Sequence, residues 1–173
     1  MALATAVDSL PEQRIVLSGV SWETYEQTLT DFLDRSRPHF AYDRGMLEIV
    51  SPTPPHEENG FALATMVMTI AEELDREYRL VGSTTYRREA LQQGFEADSS
   101  FYVLNERFVL DLAEIDPTTD RPPDLVIEVD VSRSSFDKLA IYAGFGVQEV
   151  WRREADRVSI LAREQRGGGE GLT

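Results

Sequence analysis

The sequence predicts a mixed α/β fold, a central mixed sheet flanked by helices, and three observations carry that prediction. From about Glu57 to Tyr78, Leu63, Met66, Val67, Ile70 and Leu74 recur at helical spacing. After them the pattern changes to short β-rich runs, among which PDLVIEVDV reads as a buried strand. A shorter helical segment, SSFDKLAIYAGFG, then separates that strand from a last pair, VQEVWRRE and RVSILARE.

The remaining elements follow in order. Residues 1–12 read as a mobile arm, and RIVLSGV as a strand. Ser21 is placed to cap the helix SWETYEQTLTDFLDRS, which Pro38 ends. HFAYDRGMLEIVS is predicted as a hairpin turning at Asp43, Arg44 and Gly45, with the stiff loop SPTPPHE after it. These pieces form a small N-terminal β-hairpin/helix extension over 13–52. The core is expected over 53–163, a disordered tail over 164–173, and one domain over 1–173. LVGSTTYRR, ADSSFYVL and the stretch from Val103 to Leu112 are strand-like, and DPTTDRPP is a loop.

Composition narrows the chemistry. The 173 residues include no cysteine and only His39 and His56, which excludes disulfides, thiolate metal sites, cysteine nucleophiles and a multi-histidine centre. No run approaches the ~18 apolar residues of a membrane span, and MALATAVDSL lacks the basic and apolar regions of a secretory signal. No membrane contact and a cytoplasmic location are therefore expected. The net charge of −14 argues against a protein that coats nucleic acid by bulk attraction. It leaves room for an enzyme that meets phosphate at one neutralised spot.

Among the 17 basic residues, Lys138 is the only lysine. Arginine is a wide, permanently charged fork and lysine a compact point charge, so the two are not interchangeable at a reacting centre.

Strand alternation in PDLVIEVDV puts Leu125, Ile127 and Val129 on one face and Asp124, Val126, Glu128 and Asp130 on the other. Acids on a buried strand need a cation, and a hard divalent ion is an economical one. An edge strand with a solvated acidic face is the alternative. Asp98 opens another strand-like run 30 residues earlier, near enough in sequence for the two strands to be neighbours, although a turn acid is the plainer reading of it alone. Ser134 and Asp137 fit a capping box that puts Lys138 at the end of a helix's first turn. A cation there opposes the helix dipole, so helix stability does not explain its place; an exposed surface lysine is the alternative. Glu48 shares a strand face with Met46 and Val50, pointing either inward or to solvent. His56, with Glu57 and Glu58, is a candidate for the mouth of such a site.

The segments YDRGMLEIVSPTPPHE, GSTTYRRE, EADSSFYVLNE, PPDLVIEVDVSRSSFDK and IYAGFGVQEVW run in this order from Tyr42 to Trp151. Together they resemble the Uma-two family of "putative restriction endonucleases", in the PD-(D/E)XK nuclease-like superfamily. The resemblance implies a restriction-endonuclease-like core in which acids on two neighbouring strands bind Mg²⁺ or Mn²⁺. The first motif acid falls on Asp98, preceded by Ala97 where the family usually has proline. The motif glutamate falls on Glu128, and the early-strand glutamate on Glu48. The lysine position two residues after Glu128 holds Asp130, so the resemblance implies that Lys138 supplies the cation from the next helix.

The implied activity is metal-dependent hydrolysis of phosphodiester bonds in nucleic acid, with DNA as the expected substrate. Asp98 and Glu128 would hold the metal, Glu48, Asp98, Glu128 and Lys138 would form the catalytic set, and a homodimer would present two sites to a duplex. Arg87, Arg88, Arg133, Arg152 and Arg153 are the candidates for a basic rim. Two alternatives stay open: an inactive nuclease-fold interaction or regulatory protein, and a hydrolase of a small phosphodiester.

Overall fold

The computed structural model describes residues 12–32, 38–130 and 136–163. The calls made for residues 1–11, Arg133, Ser134 and the tail lie outside them. The strands form two five-stranded sheets. One has the order β1-β3-β2-β6-β5, built from β1 (Gln13–Ser18), β2 (His39–Asp43), β3 (Met46–Ser51), β5 (Thr85–Arg88) and β6 (Gln93–Glu96), all antiparallel. The other is the mixed sheet, with the order β10-β9-β8-β7-β4. It consists of β4 (Arg79–Leu80), β7 (Ser99–Tyr102), β8 (Leu125–Asp130), β9 (Glu149–Glu154) and β10 (Arg157–Ala162), with β8 and β9 parallel and the rest antiparallel. The parallel pair is joined through helix α3 (Lys138–Phe145), the crossover that such pairing requires.

The N-terminal extension forms as its local signals dictate. Ser21 accepts the Thr24 N–H at 3.2 Å and caps α1 (Trp22–Asp31). The hairpin turns on two residues, Arg44 (φ 45°) and Gly45 (φ 94°), both in the left-handed region favoured by tight two-residue turns; Asp43 remains in its strand. Tyr25 of α1 packs with Phe40, Tyr42 and Leu47 in a buried cluster.

Helix α2 (Pro54–Glu73) starts three residues before the expected boundary and ends five before it. Pro54 and Pro55 occupy the first helical positions, where a missing N–H costs nothing, and Asp75 (φ 51°) turns the chain out of the helix. Its buried face is His56, Gly60, Leu63, Ala64, Val67 and Ala71. Met66, Ile70 and Leu74, although at helical spacing, are exposed.

The alternation read from PDLVIEVDV is observed. Leu125, Ile127 and Val129 pack against Leu63, Ala64 and Val67 of α2. Val126 faces the other way, into a core with Ile141, Tyr142 and Phe145 of α3 and Ala41, Tyr86 and Phe95 of the antiparallel sheet. That second core joins the two sheets. With β9 and β7 on its flanks, β8 is a central strand, which removes the edge-strand alternative.

Two elements differ from expectation. The stretch from Val103 to Leu112 is not a strand. Its backbone N–H groups at Val103, Leu104 and Asn105 converge on the Asp124 carboxylate at 2.9, 3.1 and 2.8 Å, and a single 3₁₀ turn, Glu106–Phe108, follows. LVGSTTYRR divides into β4 and β5. Strand β6, hidden in the sequence by Gly94, lies between β2 and β5.

Candidate active site

The site grows from strand register. Antiparallel pairing sets Ser99 opposite Ile127, so the next pair brings Asp98 opposite Glu128. The Asp98 N–H donates to the Ile127 carbonyl at 3.1 Å, and the Val129 N–H donates to Asp98 Oδ2 at 2.6 Å. Two carboxylates 30 positions apart in sequence are thus brought to one place by the register of β7 on β8.

Helix α3 delivers the cation. Asp137 caps it by accepting the Leu139 N–H at 3.1 Å, which makes Lys138 the first helical residue instead of the end of the first turn. Lys138 Nζ donates to Glu128 Oε2 at 2.8 Å and lies 3.8 Å from Glu48 Oε2. One helical turn later, the Tyr142 hydroxyl donates to Glu128 Oε1. Both oxygens of Glu128 are therefore fixed from one face of α3. The lysine is not a solvated surface residue, since its side chain is only 15% exposed. Its awkward place at a helix N-terminus is offset by the ion pair.

Glu48, fully buried in β3, faces inward. It accepts from Arg14 of β1 at 2.8 Å. The same guanidinium reaches Glu12 at 3.1 Å and Asp130 at 3.2 Å, and Asp130 also accepts from Arg152 at 2.7 Å. Two residues after Glu128, then, an acid gathers two arginines. Each acid of β8 and its approach has its own neutralising partner: backbone N–H groups for Asp124, Lys138 and Tyr142 for Glu128, and Arg14 with Arg152 for Asp130.

Histidine holds Asp98 from the other side. His56 Nε2 is 2.8 Å and His39 Nδ1 3.5 Å from Asp98 Oδ1, and His56 Nδ1 is 2.6 Å from Glu12 Oε2. His56 is thus buried between two carboxylates and does not line a mouth. Glu12 belongs to the site and not to a mobile arm.

The charges shift one another strongly. Burial resists the Asp98 charge, but hydrogen bonds from His39 and His56 hold this carboxyl well below the usual range. Burial, opposed by the Lys138 ammonium and reinforced by the Asp98 charge, pushes Glu128 up to about 7. Lys138 is held above its ordinary value despite burial, by Glu128, Asp98 and Glu48. Burial alone would lower His56, yet Asp98 and Glu12 raise it to about 10.

A measurable consequence follows from His56. Its ordinary value is near 6.5, so between 6.5 and 10 the folded protein keeps a proton that the unfolded chain has released. The stability from this pair is complete below 6.5 and is lost as pH rises through 10. Thermal melts across pH 7–10 should show a falling Tm, and His56→Gln should flatten that decline. An equally steep fall in the variant would rule out His56 as its source.

Sequence reasoning had singled out Glu48, Asp98, Glu128 and Lys138, and the fold brings all four together. It missed Glu12, Arg14, His39 and Tyr142. Tyr142 was legible in principle, four residues after Lys138 on the same helix face; Arg14 is 116 residues from Asp130, and nothing local announces it. Of the basic-rim candidates among the described residues, only Arg152 lines the small cavity of about 40 Å³ bounded by Arg14, Glu128, Asp130, Lys138 and Tyr142. Arg87 pairs with Glu26, Arg88 donates to the Thr118 and Asp120 carbonyls, and Arg153 donates to Asn59.

A divalent cation is tested by these donors. Among the described residues no three His, Asp or Glu side chains are grouped to hold a metal by themselves. Mg²⁺ does not require such a cage, because it binds through one or two carboxylates and completes its shell with water and substrate phosphate. Asp98 and Glu128 offer hard oxygens, and the raised Glu128 marks a spot where burial and a second carboxylate outweigh the ammonium touching it. The residues fit the ion.

Among the described residues, no helix is long and apolar enough to cross a membrane. The residue pattern of the Uma2 family, described as "Putative restriction endonuclease", matches residues 22–171. No curated protein matches. The crystal structure of "a putative nuclease belonging to DUF820 from Anabaena variabilis ATCC 29413" is similar in fold. Its TM-score is 0.57 at 17% identity, over 83% of this chain and 82% of that one. With the match spanning nearly the whole sequence, the chain belongs to the Uma2 family, described as "Putative restriction endonuclease".

Proposed function

We propose that this chain, acting as a single domain, is a PD-(D/E)XK-type endonuclease that hydrolyses phosphodiester bonds of DNA with Mg²⁺ or Mn²⁺ held by Asp98 and Glu128. The observation that carries the reading is the register of β7 on β8, which sets these acids opposite each other with the Lys138 ammonium 2.8 Å from Glu128. When bound, the metal supplies a water of lowered pKa and offsets charge building on the phosphate. The protein's part is positional and electrostatic. Val129 N–H and His56 fix the two oxygens of Asp98, and Tyr142 fixes Glu128. Lys138, kept charged by three carboxylates, directs an N–H toward the attacking water or the phosphate oxygen. No side chain here serves as a nucleophile, so water attacks directly. A cytoplasmic homodimer that offers one site to each strand is part of this reading.

The test is Mg²⁺- or Mn²⁺-dependent nicking of supercoiled plasmid. Asp98→Asn and Glu128→Ala are each expected to lower the rate by about 10²–10³-fold or more; nicking that persists in both would refute the assignment. One observation favours a second reading, hydrolysis of a small phosphodiester: at net charge −14, the described rim candidates Arg87, Arg88 and Arg153 are engaged with Glu26, the Thr118 and Asp120 carbonyls and Asn59. Turnover of bis(p-nitrophenyl) phosphate with plasmid left intact would select it.

A further inference from the structure

Strand β10 closes the mixed sheet with an open edge: among the described residues, no strand pairs with its outer side. The Arg163 N–H donates to the Gln148 carbonyl at 2.8 Å, in step with the pairing of Ala162 and Glu149. Antiparallel ladders use every second residue. Arg157, Ser159 and Leu161 therefore direct their backbone groups to β9, and Val158, Ile160 and Ala162 turn theirs outward. The side chains of this edge are apolar and uncovered, with Val158 45% and Ile160 56% exposed. They stand opposite Arg153 and Trp151 of β9, on the face that α2 covers further in: Trp151 packs with Leu63, Ala64 and Val67, and Arg153 donates to Asn59. Met66 and Ile70 follow Asn59 by seven and eleven residues, on the same flank of α2, and both are exposed. An apolar strip thus runs from α2 to the last strand. Proline or a charge within the strand would guard a free edge; here Arg157 opens β10, Arg163 follows it, and VSILA lies between.

We propose that two copies of this chain join at β10, edge to edge and antiparallel, so that their two five-stranded mixed sheets become one continuous sheet. This names the interface of the homodimer included in the reading above and rests on that part of it alone. An edge of outward N–H and C=O groups is complementary to itself when run antiparallel about a twofold axis. Because outward residues must face outward residues, two registers keep most of the strand paired. With the axis at Ile160, Arg157 would face Arg163 of the second copy, and like charges opposed across strands are destabilising. With the axis at Ser159, Val158 faces Ile160 of the second copy, and these arginines stand apart. The four apolar side chains then gather on one face, next to the strip formed by Met66 and Ile70. The axis at Ser159 is therefore the one assigned. Ser159 pairs with Arg152, which lines the cavity beside Glu128 and Lys138. Both cavities accordingly open on the same side of the joined sheet, their β8 strands five strand spacings apart, about 24 Å.

Sedimentation equilibrium over a range of chain concentrations reads the mass, and a thermal melt of each variant checks its fold. The wild type is expected to be a dimer, and Ile160→Pro and Ile160→Lys monomers. Proline there removes only an outward N–H and leaves the ladder with β9 intact, and lysine replaces a side chain that is already exposed. Ile15→Lys, on the open edge of β1 and at a side chain 55% exposed, should stay dimeric. The chain has no cysteine, so Ser159→Cys sets one thiol against its symmetry mate in a non-hydrogen-bonded pair, at a Cα separation that a disulfide spans. Mild oxidation should couple the copies of Ser159→Cys and leave Arg157→Cys, two residues from the axis, uncoupled. Should the Ile160 variants not fold, this coupling decides. A monomeric wild type overturns the inference together with the homodimer. A dimer that survives both Ile160 substitutions, a folded Ile15→Lys monomer, or uncoupled Ser159→Cys overturns the β10 interface alone. The catalytic reading stands or falls separately, on whether plasmid is nicked.

Discussion

Lys138→Met is expected to lower metal-dependent cleavage by about 10²–10³-fold, the scale seen when a preorganised charge is removed from a transition state. The ammonium is 2.8 Å from Glu128 and 3.8 Å from Glu48, and no other lysine exists in the chain to replace it. Its loss acts twice. The charge that the proposed mechanism aims at the phosphate disappears, and Glu128, already pushed up to about 7, rises further and becomes neutral at working pH. A neutral carboxyl binds Mg²⁺ poorly, so the Mg²⁺ concentration for half-maximal rate should climb as well. Because Glu128 can take up a proton, the fold should tolerate the change better than the loss of an obligatory ion pair. Lys138→Arg should not rescue: a wide fork does not fit where a point charge sits between two buried glutamates. Initial nicking rates over a range of Mg²⁺, with a thermal melt of each variant, decide the matter. A rate within twofold of wild type would remove Lys138 from the mechanism.

The largest effect on stability is expected at Gly94. A Cβ built there would lie 2.2 Å from the Tyr25 hydroxyl oxygen and 2.9 and 3.0 Å from its ring carbons. Tyr25 cannot swing aside, being fully buried, stacked on Tyr42 at 4.8 Å and packed against Trp22 at 5.3 Å. Gly94→Ala must instead push α1 off the sheet, at about 1–3 kcal/mol or more, equivalent to a Tm lower by roughly 2–4 °C per kcal/mol. Among the described residues the Tyr25 hydroxyl has no hydrogen-bond partner, so Tyr25→Phe should be near neutral or stabilising. It should also recover part of the loss when combined with Gly94→Ala, because the closest clash is with that oxygen. Thermal melts of the two single variants and the double variant test this cycle. A Gly94→Ala protein that melts with the wild type would show that α1 yields without cost.

The legible parts of the site were those written in local or periodic signals. Alternation in β8 set Glu128 apart from Leu125, Ile127 and Val129, and the single lysine drew attention to Lys138. The Ser21 cap and the two-residue turn at Arg44 and Gly45 are likewise short-range chemistry. Strand β6 is obscured because Gly94 has no strand propensity of its own; pairing with β2 and β5 makes it a strand, and Tyr25 fills the space that a side chain at Gly94 would need. Val103 to Leu112 read as a strand because it is apolar enough, yet three of its N–H groups turn to Asp124, an acid about 20 residues away.

By itself, the sequence determined most of the helices and strands, the acids on the buried strand and the one amine available to face them, since each depends on neighbours within a few residues. Only the tertiary structure decided which charges answer which. Arg14 meets Glu48 and Asp130 across 34 and 116 residues, and His39 and His56 meet at Asp98. The physical reason is that an ion pair depends on distance through space and on burial. Both are products of the register of β1 on β3, of β7 on β8, and of the helices laid across them.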